Sequence, residues 1–525
     1  MQKQYGQVPA QPPIPLSALS QPLVINPGRL RRALRTLKGQ FIALAICVAA
    51  LAIIQALMTS MAYVRSADDL DTINTGSIPS VNAAQAIAQY IEDIDAKAAD
   101  YLATAGLTQL APCSLVGTDR NPGPQTVHDC DNLNIDAELV LANSELFNAA
   151  HNVTYPGERT AVERITAGFE EYSGDIAIMR HEYDLAASKT DAQDPHLQKA
   201  RQAYQAANDV LQKTITLQPT TNASGTPVFN EPAVPLCTAH SNTVTDSSWM
   251  LGSIEDNISC LSEINKTHLD SAYNDTISFL GAAVTGTLLL SIIFCALLLF
   301  VIWRMIAITH RVINPALTLA LIVSVIFCAN AVGLFSQMAG QHGDFGQMVK
   351  DDYDSVYFAA QLKRYGTAAN ADESRWLIAM AFNDQAAADR WYQDWQANTA
   401  QVRSLIDRAQ NNRTYPEEDQ PLRDMQANWQ QYTNIDTQIR AKATDTTNPA
   451  RIHDAELLST GDSNRTFDAF SNAVDGLSQA NQGHYNMTYA ATRGALMLYV
   501  ALSAILFPLL GLAAVGGIVL RLKDF

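Results

Sequence analysis

Four long stretches of the chain are uncharged and mostly apolar. They are residues 41–64, 277–303, 312–337 and 494–520, and none contains Asp, Glu, Lys, Arg or His. Each is longer than the ~20 residues that a helix needs to cross about 30 Å of hydrocarbon. The pattern therefore predicts four membrane-spanning helices and excludes a soluble enzyme.

The two long segments between the spans, residues 65–276 and 338–493, have apolar positions with a helical period. A 3-4-3-4-3-4 seam in the first segment consists of Val162, Ile165, Phe169, Tyr172, Ile176, Met179 and Tyr183. The same spacing returns in the second as Leu422, Met425, Trp429, Tyr432, Asp436, Ile439 and Ala443. Such seams predict long helices packed against other helices.

A looser apolar stripe opens the first long segment. It consists of Val81, Ala84, Ala88, Ile91, Asp95, Ala98 and Leu102. No stretch alternates apolar and polar residues in the manner of a strand between turn signals. Both long segments are therefore predicted to be antiparallel helical bundles in an all-α protein.

The two long segments are copies of one unit. The motif Asn-x-Thr-Tyr-Pro-x-Glu at residues 152–158 recurs at residues 412–418, an offset of 260. Near the start of each long segment the offset is 275, where Tyr101 matches Trp376. Near the end of each long segment the offset is 212. One duplication explains all three registers if the first copy carries two insertions. The chain is therefore interpreted as a tandem repeat of span, bundle and span.

Charge predicts the orientation of the chain. The short segments, residues 1–40, 304–311 and 521–525, hold ten basic residues and one acidic residue, whereas the two long segments together carry a net charge of −26. The positive-inside rule then places both termini in the cytoplasm and both bundles outside the plasma membrane.

Four of the seven cysteines lie in the first long segment, which the topology places in an oxidising compartment. Cys113–Cys130 and Cys237–Cys260 are the simplest disulfides, because neighbours in sequence close short loops. The other two ways of pairing these four cysteines stay open.

No motif for catalysis, cofactor binding or metal binding is found. The ten histidines are scattered, the outer cysteines lack zinc spacing, and no phosphate-binding glycine loop or nucleophile elbow occurs. We therefore expect no enzyme activity, no cofactor, no metal ion and no nucleic-acid partner.

A few residues are candidates for ligand binding. Asp436 stands in the apolar seam where the first copy has an isoleucine, so it either contacts a ligand or marks an opening to water. Arg180 and Arg440 follow seam residues and either bind a carboxylate or form surface ion pairs. Tyr172 and Tyr432 belong to the core or line a pocket.

The basic segment before the first span is expected to meet the inner leaflet or a cytoplasmic partner. Five basic residues surround a short amphipathic helix there. They are Arg29, Arg31, Arg32, Arg35 and Lys38.

Each bundle, held between two spans and built on a heptad seam, resembles the periplasmic four-helix sensors of bacterial chemoreceptors and sensor kinases. The first bundle also opens on Ile78-Pro79-Ser80-Val81, which adds to this resemblance. Because the sequence contains no kinase, methyl-accepting or cyclase module, we expect a separate protein to produce the output.

The four-span layout is similar to that of an actinobacterial membrane sensor that acts with a glutamine/aspartate-binding lipoprotein and the soluble protein kinase G. The resemblance implies amino-acid sensing, a solute-binding lipoprotein as outside partner, and a kinase or adaptor at residues 1–40. A cell-envelope scaffold or adhesion protein and an accessory subunit of a membrane complex are the alternatives. Association as a homodimer also stays open.

We predict that a membrane-impermeant amine reagent applied to intact cells modifies lysines within residues 65–276 and 338–493 but spares Lys3 and Lys38. The reason is that the basic segments stay inside. Peptide mass spectrometry reads the modified sites, and lysed cells, in which every lysine is open to the reagent, provide the control. Modification of Lys3 in intact cells would contradict the topology.

Overall fold

The computed structural model describes most of the chain, and its described part is helical. The described residues are 36–103, 110–117, 122–155, 157–189, 193–212, 216–217, 220–221, 227–228, 249–250, 253–309, 314–340 and 343–522. Among them are four helical runs long and apolar enough to cross a membrane, which confirms the prediction of an all-α chain with four spans.

Both repeats have the same order of helices. In the first repeat they are α1 (Leu37–Thr72), α2 (Ile78–Ala103), α3 (Val127–His151), α4 (Glu158–Leu185), α5 (Pro195–Gln212) and α6 (Ile254–Thr309). In the second they are α7 (Pro315–Ala339), α8 (Asp354–Ala381), α9 (Gln385–Asn411), α10 (Asp419–Thr444), α11 (Arg451–Leu458) and α12 (Asn464–Leu522). The tandem duplication predicted from sequence is therefore visible as a repeated order of elements.

Short elements complete the described part. Three π-helical turns occur, at Ile73–Ser77, Gln347–Tyr353 and Ser459–Ser463. A helical turn at Asp344–Gly346 and a 3-10 turn at Pro416–Glu418 precede α8 and α10. Three antiparallel pairs of two-residue strands also occur: β1 (Ala111–Pro112) with β2 (Pro124–Gln125), β3 (Thr216–Leu217) with β6 (Trp249–Met250), and β4 (Thr220–Thr221) with β5 (Pro227–Val228).

The chain divides into two compact units. One, here called the span unit, is drawn from Met1–Met61, Thr285–Val332 and Val500–Phe525. The other, here called the bundle unit, is drawn from Ala62–Val284 and Gly333–Tyr499, so both long segments belong to it.

Polar contacts and close approaches join helices in the span unit. Gln55 on α1 donates to Ser291 Oγ on α6 at 3.1 Å. Ser60 on α1 shares a 2.7 Å hydrogen bond with Ser503 on α12. A Cβ atom on Gly511 would lie only 2.9 Å from the Cβ of Ala52, so glycine lets α12 approach α1 closely.

The two heptad seams form the cores of the bundle unit. All fourteen seam positions are buried, including Asp436, which confirms the long packed helices predicted from their spacing. Helix α2 packs along α3 and also along α8, which in turn packs along α9. Because α2 and α8 are equivalent helices of the two repeats, the repeats meet through the same element.

The short disulfide predicted from sequence is present. Cys113 and Cys130 are joined with a Cα–Cα distance of 5.7 Å. Cys237 lies outside the described residues, so its pairing with Cys260 stays a prediction. Within the described part the free thiols are Cys47, Cys295 and Cys328, all in spans.

Candidate functional site

A buried arginine joins the two repeats. Arg375 on α8 is fully buried, and its Nε donates to Asp95 Oδ2 on α2 at 2.6 Å while its Nη2 contacts the same oxygen. Its Nη1 donates to Asp372 at 2.8 Å, and its guanidinium lies 5.0 Å from the ring centre of Trp391. Glu92 stands further off, with Oε2 3.6 Å from Nη2.

Other buried groups support the two carboxylates of this network. Tyr204 donates to Asp95 at 3.1 Å, and Tyr172 lies at 3.5 Å from its second oxygen. Asn398 donates to Asp372 at 2.9 Å. The network therefore ties α4, α5 and α9 to the contact between α2 and α8.

Burial makes the carboxylates of the network hold protons more tightly. Burial raises the pKa of Asp372 to about 7, although Arg375 opposes the shift. Burial, together with Glu255, raises the pKa of Glu92 well above its usual range. One guanidinium faces three buried carboxyl groups, so the network takes up protons near neutral pH.

The equivalent positions of the two repeats carry opposite charges. At the offset of 275, Lys97 and Asp100 on α2 match Asp372 and Arg375 on α8. Asp95 matches Asn370 in the same register. In a contact between two first repeats, Asp100 of one would therefore face Asp95 of the other and repel it. In the contact between a first and a second repeat, Arg375 takes the place of Asp100 and pairs with Asp95. The inversion favours pairing of unlike repeats.

A cavity of 370 Å³ opens beside this network, within the volume range of small-molecule sites. Two buried acceptors line it without a hydrogen-bond donor in the described part of the chain: Asn208 Oδ1 on α5 and Glu92 Oε2 on α2. Arg364 and Arg390 also line it. A second cavity of 440 Å³ shares Asn208 and Arg390 with the first.

The recurring Asn-x-Thr-Tyr-Pro-x-Glu motif forms a second site, here called the tyrosine clamp. In the first repeat, Glu158, the first residue of α4, accepts a hydrogen bond from the backbone N–H of Tyr155 at 2.6 Å. The Tyr155 hydroxyl shares a 2.6 Å hydrogen bond with Ser77, the last residue of the π-helical turn after α1. Its ring stacks on His268 of α6 at 4.0 Å.

The second repeat builds the same clamp. Glu418 accepts from the Tyr415 N–H at 2.8 Å, and the Tyr415 hydroxyl donates to Asp352 in the π-helical turn before α8 at 2.6 Å. The ring stacks on His484 of α12 at 3.6 Å. Asp352 matches Ser77 at the offset of 275. Burial raises the pKa of Asp352 to about 6, although the hydrogen bond from Tyr415 opposes the shift.

Each clamp connects the first and last helices of its repeat. The first helical run continues from Leu37 to Ala103 and the last run of the first repeat from Ile254 to Thr309, so both include a span. A π-helical turn within a helix is frequently found at a functional site. Each clamp holds its tyrosine against such a turn in a span-bearing helical run.

The candidate residues of the first repeat lie apart from each other. Arg180 forms an ion pair of 2.7 Å with Asp136, whose side chain is 61% exposed. This is the surface pair that the sequence left as an alternative to ligand binding. Tyr172 lies instead in the buried network, within reach of Asp95.

The structure brings Asp436 and Arg440 of the second repeat together. Arg440 Nε donates to the buried Asp436 at 2.9 Å, and the guanidinium lies among the rings of Trp376, Tyr392 and Trp395 at 4.6 to 4.9 Å. Asp436 therefore has a charged partner in the seam, and the seam does not open to water there.

Tyr432 and Glu373 lie near this pair. Tyr432 is buried and donates to the carbonyl of Ala369 at 3.3 Å. Glu373 accepts from Ser459 and Ser463, the two ends of the third π-helical turn, at 2.8 and 3.0 Å. Burial and the nearby Asp436 raise the pKa of Glu373 to about 8.

The sequence contained signals for the residues that it did not assign. Asp95 was the one acid in an apolar stripe, which indicates a buried partner. Tyr155 and Tyr415 were part of a motif kept in both repeats, and such recurrence indicates a shared role. Arg375 directly precedes Trp376, which matches Tyr101 of the first repeat. Nothing else in the local sequence pointed to Arg375.

Only part of the basic amino-terminal segment lies within the described residues. Lys38 lies in the first turn of α1. Arg29, Arg31, Arg32 and Arg35 lie outside the described residues.

No protein-family model matches this chain, and no curated protein or solved structure shows a significant similarity to it.

We predict that Arg375→Met destabilises the bundle unit by about 3–5 kcal/mol, because removing one partner of a buried ion pair leaves the others uncompensated. Chemical unfolding of the full chain in nanodiscs, followed by circular dichroism, measures the change. Arg180→Met, which removes an exposed pair, should cost no more than about 1 kcal/mol. Equal effects of the two substitutions would contradict the role of the network.

We predict that stability falls as the pH rises towards 8. The folded pKa of Glu373, about 8, lies above its ordinary value of 4.5. Its stabilising contribution is therefore complete below pH 4.5 and is lost as the pH rises through about 8. Melting of the wild type between pH 5 and pH 8.5 should show a larger fall than melting of Glu373→Gln. Glu171→Gln, at an exposed position, should keep the wild-type slope, and a wild-type slope in Glu373→Gln would rule out this assignment.

Proposed function

We propose that this protein is a non-enzymatic transmembrane sensor. An amino acid outside the cell binds in the cavity between α2 and α8, and a separate cytoplasmic protein, such as a kinase, reads the change. The observation that carries the proposal is the tyrosine clamp, which recurs in both repeats and connects a π-helical turn to the last helix of each.

The cavity wall suits a zwitterion. Asn208 Oδ1 is a buried acceptor without a hydrogen-bond donor in the described part of the chain, and Glu92 Oε2 has the Arg375 guanidinium only at 3.6 Å. An ammonium group in the cavity donates to both. Arg364 and Arg390 provide donors for a carboxylate in the same cavity. A free amino acid satisfies both kinds of group, which supports the amino-acid sensing that the resemblance implied.

Binding there would change the contact between the repeats. Glu92 belongs to α2 and Arg364 to α8, so a ligand that touches both favours one spacing of the two helices. A ligand shifts a conformational equilibrium only by its difference in affinity for the two states. We propose that the Arg375 network, in which one guanidinium faces three carboxyl groups, is the element whose arrangement the ligand changes.

The clamps would carry the change towards the spans. Each clamp tyrosine contacts the π-helical turn at the base of α2 or α8, and its ring holds the last helix of the same repeat. Shifts of one or two ångströms between packed helices are an established form of signal transmission. Output then passes to a cytoplasmic partner at residues 1–40.

Hydrogen–deuterium exchange on the full chain in nanodiscs tests the proposal, with L-glutamine and L-aspartate as probes. We expect protection of the cavity-lining parts of α2, α8 and α9, and altered exchange at the π-helical turns Ile73–Ser77 and Gln347–Tyr353. Isobutylamine and propionate, each lacking one charged group, should protect weakly.

Variants separate binding from relay in the same experiment. Glu92→Gln should abolish both responses, whereas Tyr155→Phe combined with Tyr415→Phe should keep cavity protection and lose the response at the π-helical turns. Tyr392→Phe, outside the clamps, is the matched control. Protection without any change at the turns of the wild type would favour a scaffold over a sensor, and no protection by either amino acid would remove the cavity from the proposal.

A further inference from the structure

The wall of the 370 Å³ cavity beside the Arg375 network has more acidic than basic side chains. Its acidic lining residues are Glu92, Asp209, Glu255, Asp372 and Asp394. Its basic lining residues are Arg364 and Arg390. This excess of carboxyl groups limits the kinds of ligand that the cavity can hold.

Only part of the acidic excess is balanced by the Arg375 network. Asp372 forms an ion pair with Arg375 at 2.8 Å, and Glu92 has the same guanidinium at 3.6 Å. The other acids, Asp209 on α5, Glu255 on α6 and Asp394 on α9, are half-buried. They still outnumber the two arginines of the wall, so acidic groups predominate in the cavity even when the network is set aside.

Two of these acids have no cation of their own. Neither Glu255 nor Asp394 forms an ion pair within the described part of the chain. Burial raises the pKa of Asp394, although Arg375 and Arg390 oppose the shift. Salt screens partly buried charges less than exposed ones. A positively charged group that enters the cavity would therefore be stabilised by both carboxylates.

The arrangement of the acids does not suit a metal ion. In the part of the chain that the structure describes, no three side chains of Asp, Glu, His or Cys are grouped as metal ligands. A divalent cation needs several oxygen ligands around one point. The acids of this cavity come instead from separate helices, so an extended organic cation fits them better.

The same wall has partners for the two charged groups that every amino acid carries. Asn208 is only 4% exposed, and its Oδ1 lacks a donor in the described part of the chain. Arg364 and Arg390 provide donors for a carboxylate. Arg390 and Asp394 lie one turn apart on α9, so one ligand can meet both. A zwitterion without a further charge leaves the excess of acids unbalanced, whereas a second cation reduces it.

We propose that the amino acid bound in this cavity has a cationic side chain, as L-arginine and L-lysine have. The inference rests on the proposed function and names the class of amino acid. The α-ammonium group donates to Glu92 and Asn208, and the α-carboxylate accepts from the wall arginines. The side-chain cation pairs with Glu255 and Asp394, which an anionic side chain would meet as like charges.

L-Citrulline provides the matched ligand, because it has the shape of L-arginine with an uncharged side chain. Hydrogen–deuterium exchange on the full chain in nanodiscs is measured while each ligand is titrated. L-Arginine should protect the cavity-lining parts of α2, α8 and α9 at about tenfold lower concentration than L-citrulline, since charged hydrogen bonds are stronger than neutral ones. L-Glutamine and L-aspartate should also need higher concentrations than L-arginine.

Variants of the two unpaired acids test the side-chain contact. Glu255→Gln combined with Asp394→Asn should raise the concentration of L-arginine needed for protection to that of L-citrulline. The response to L-citrulline should stay as in the wild type. Asp407→Asn, at an exposed position of α9 outside the cavity wall, is the matched control and should keep the difference between the two ligands.

The outcomes separate this inference from the proposed function. Equal protection of the wild type by L-arginine and L-citrulline would overturn the inference and leave an amino-acid site in place, as would stronger protection by L-aspartate than by L-arginine. An advantage of L-arginine that survives in the double variant would overturn the contact with Glu255 and Asp394. Protection by none of these amino acids would overturn the proposed function together with the inference.

Discussion

The buried ion network around Arg375 is the interaction on which the bundle unit depends. A fully buried guanidinium is costly unless carboxylates surround it, and here they come from both repeats: Asp95 from the first and Asp372 from the second. The network therefore joins the two repeats through charged groups that each of them supplies. It also leaves carboxyl groups with raised pKa values in the interior, where a change of pH alters their charge.

The duplication provides a comparison inside one chain. Both repeats keep three features of the tyrosine clamp: the hydrogen bond of the tyrosine hydroxyl, the ring stack on a histidine, and the hydrogen bond from the tyrosine N–H to a glutamate. A feature that both repeats keep serves a role common to both. Here that role is to join a π-helical turn to the last helix of the repeat. The first and last helices each continue into an apolar span, so the clamp joins two span-bearing helices of one repeat.

Other features have diverged, and each difference has a physical consequence. Where the first repeat has Lys97 and Asp100, the second repeat has Asp372 and Arg375, so the charges at the contact between the repeats are inverted. Unlike repeats therefore pair better than like ones. On the outside of the bundle, α3 exposes Val140 and Phe147 at positions where α9 has Ala400 and Asp407. The first repeat has thus become different from the second both on its inner face and on its outer face.

The sequence by itself determined the local structure of this protein. Four uncharged runs, two heptad seams and a recurring motif predicted the spans, the long helices and the duplication, because each follows from periodicity within one segment. The short Cys113–Cys130 loop was predictable because the two cysteines are neighbours in sequence. Only the tertiary structure decided the partners: Asp95 meets Arg375 across 280 residues, Tyr155 reaches both Ser77 and His268, and rings from other helices surround Arg440. Those contacts depend on how helices pack, and residue spacing within one helix carries no information about the helix that faces it.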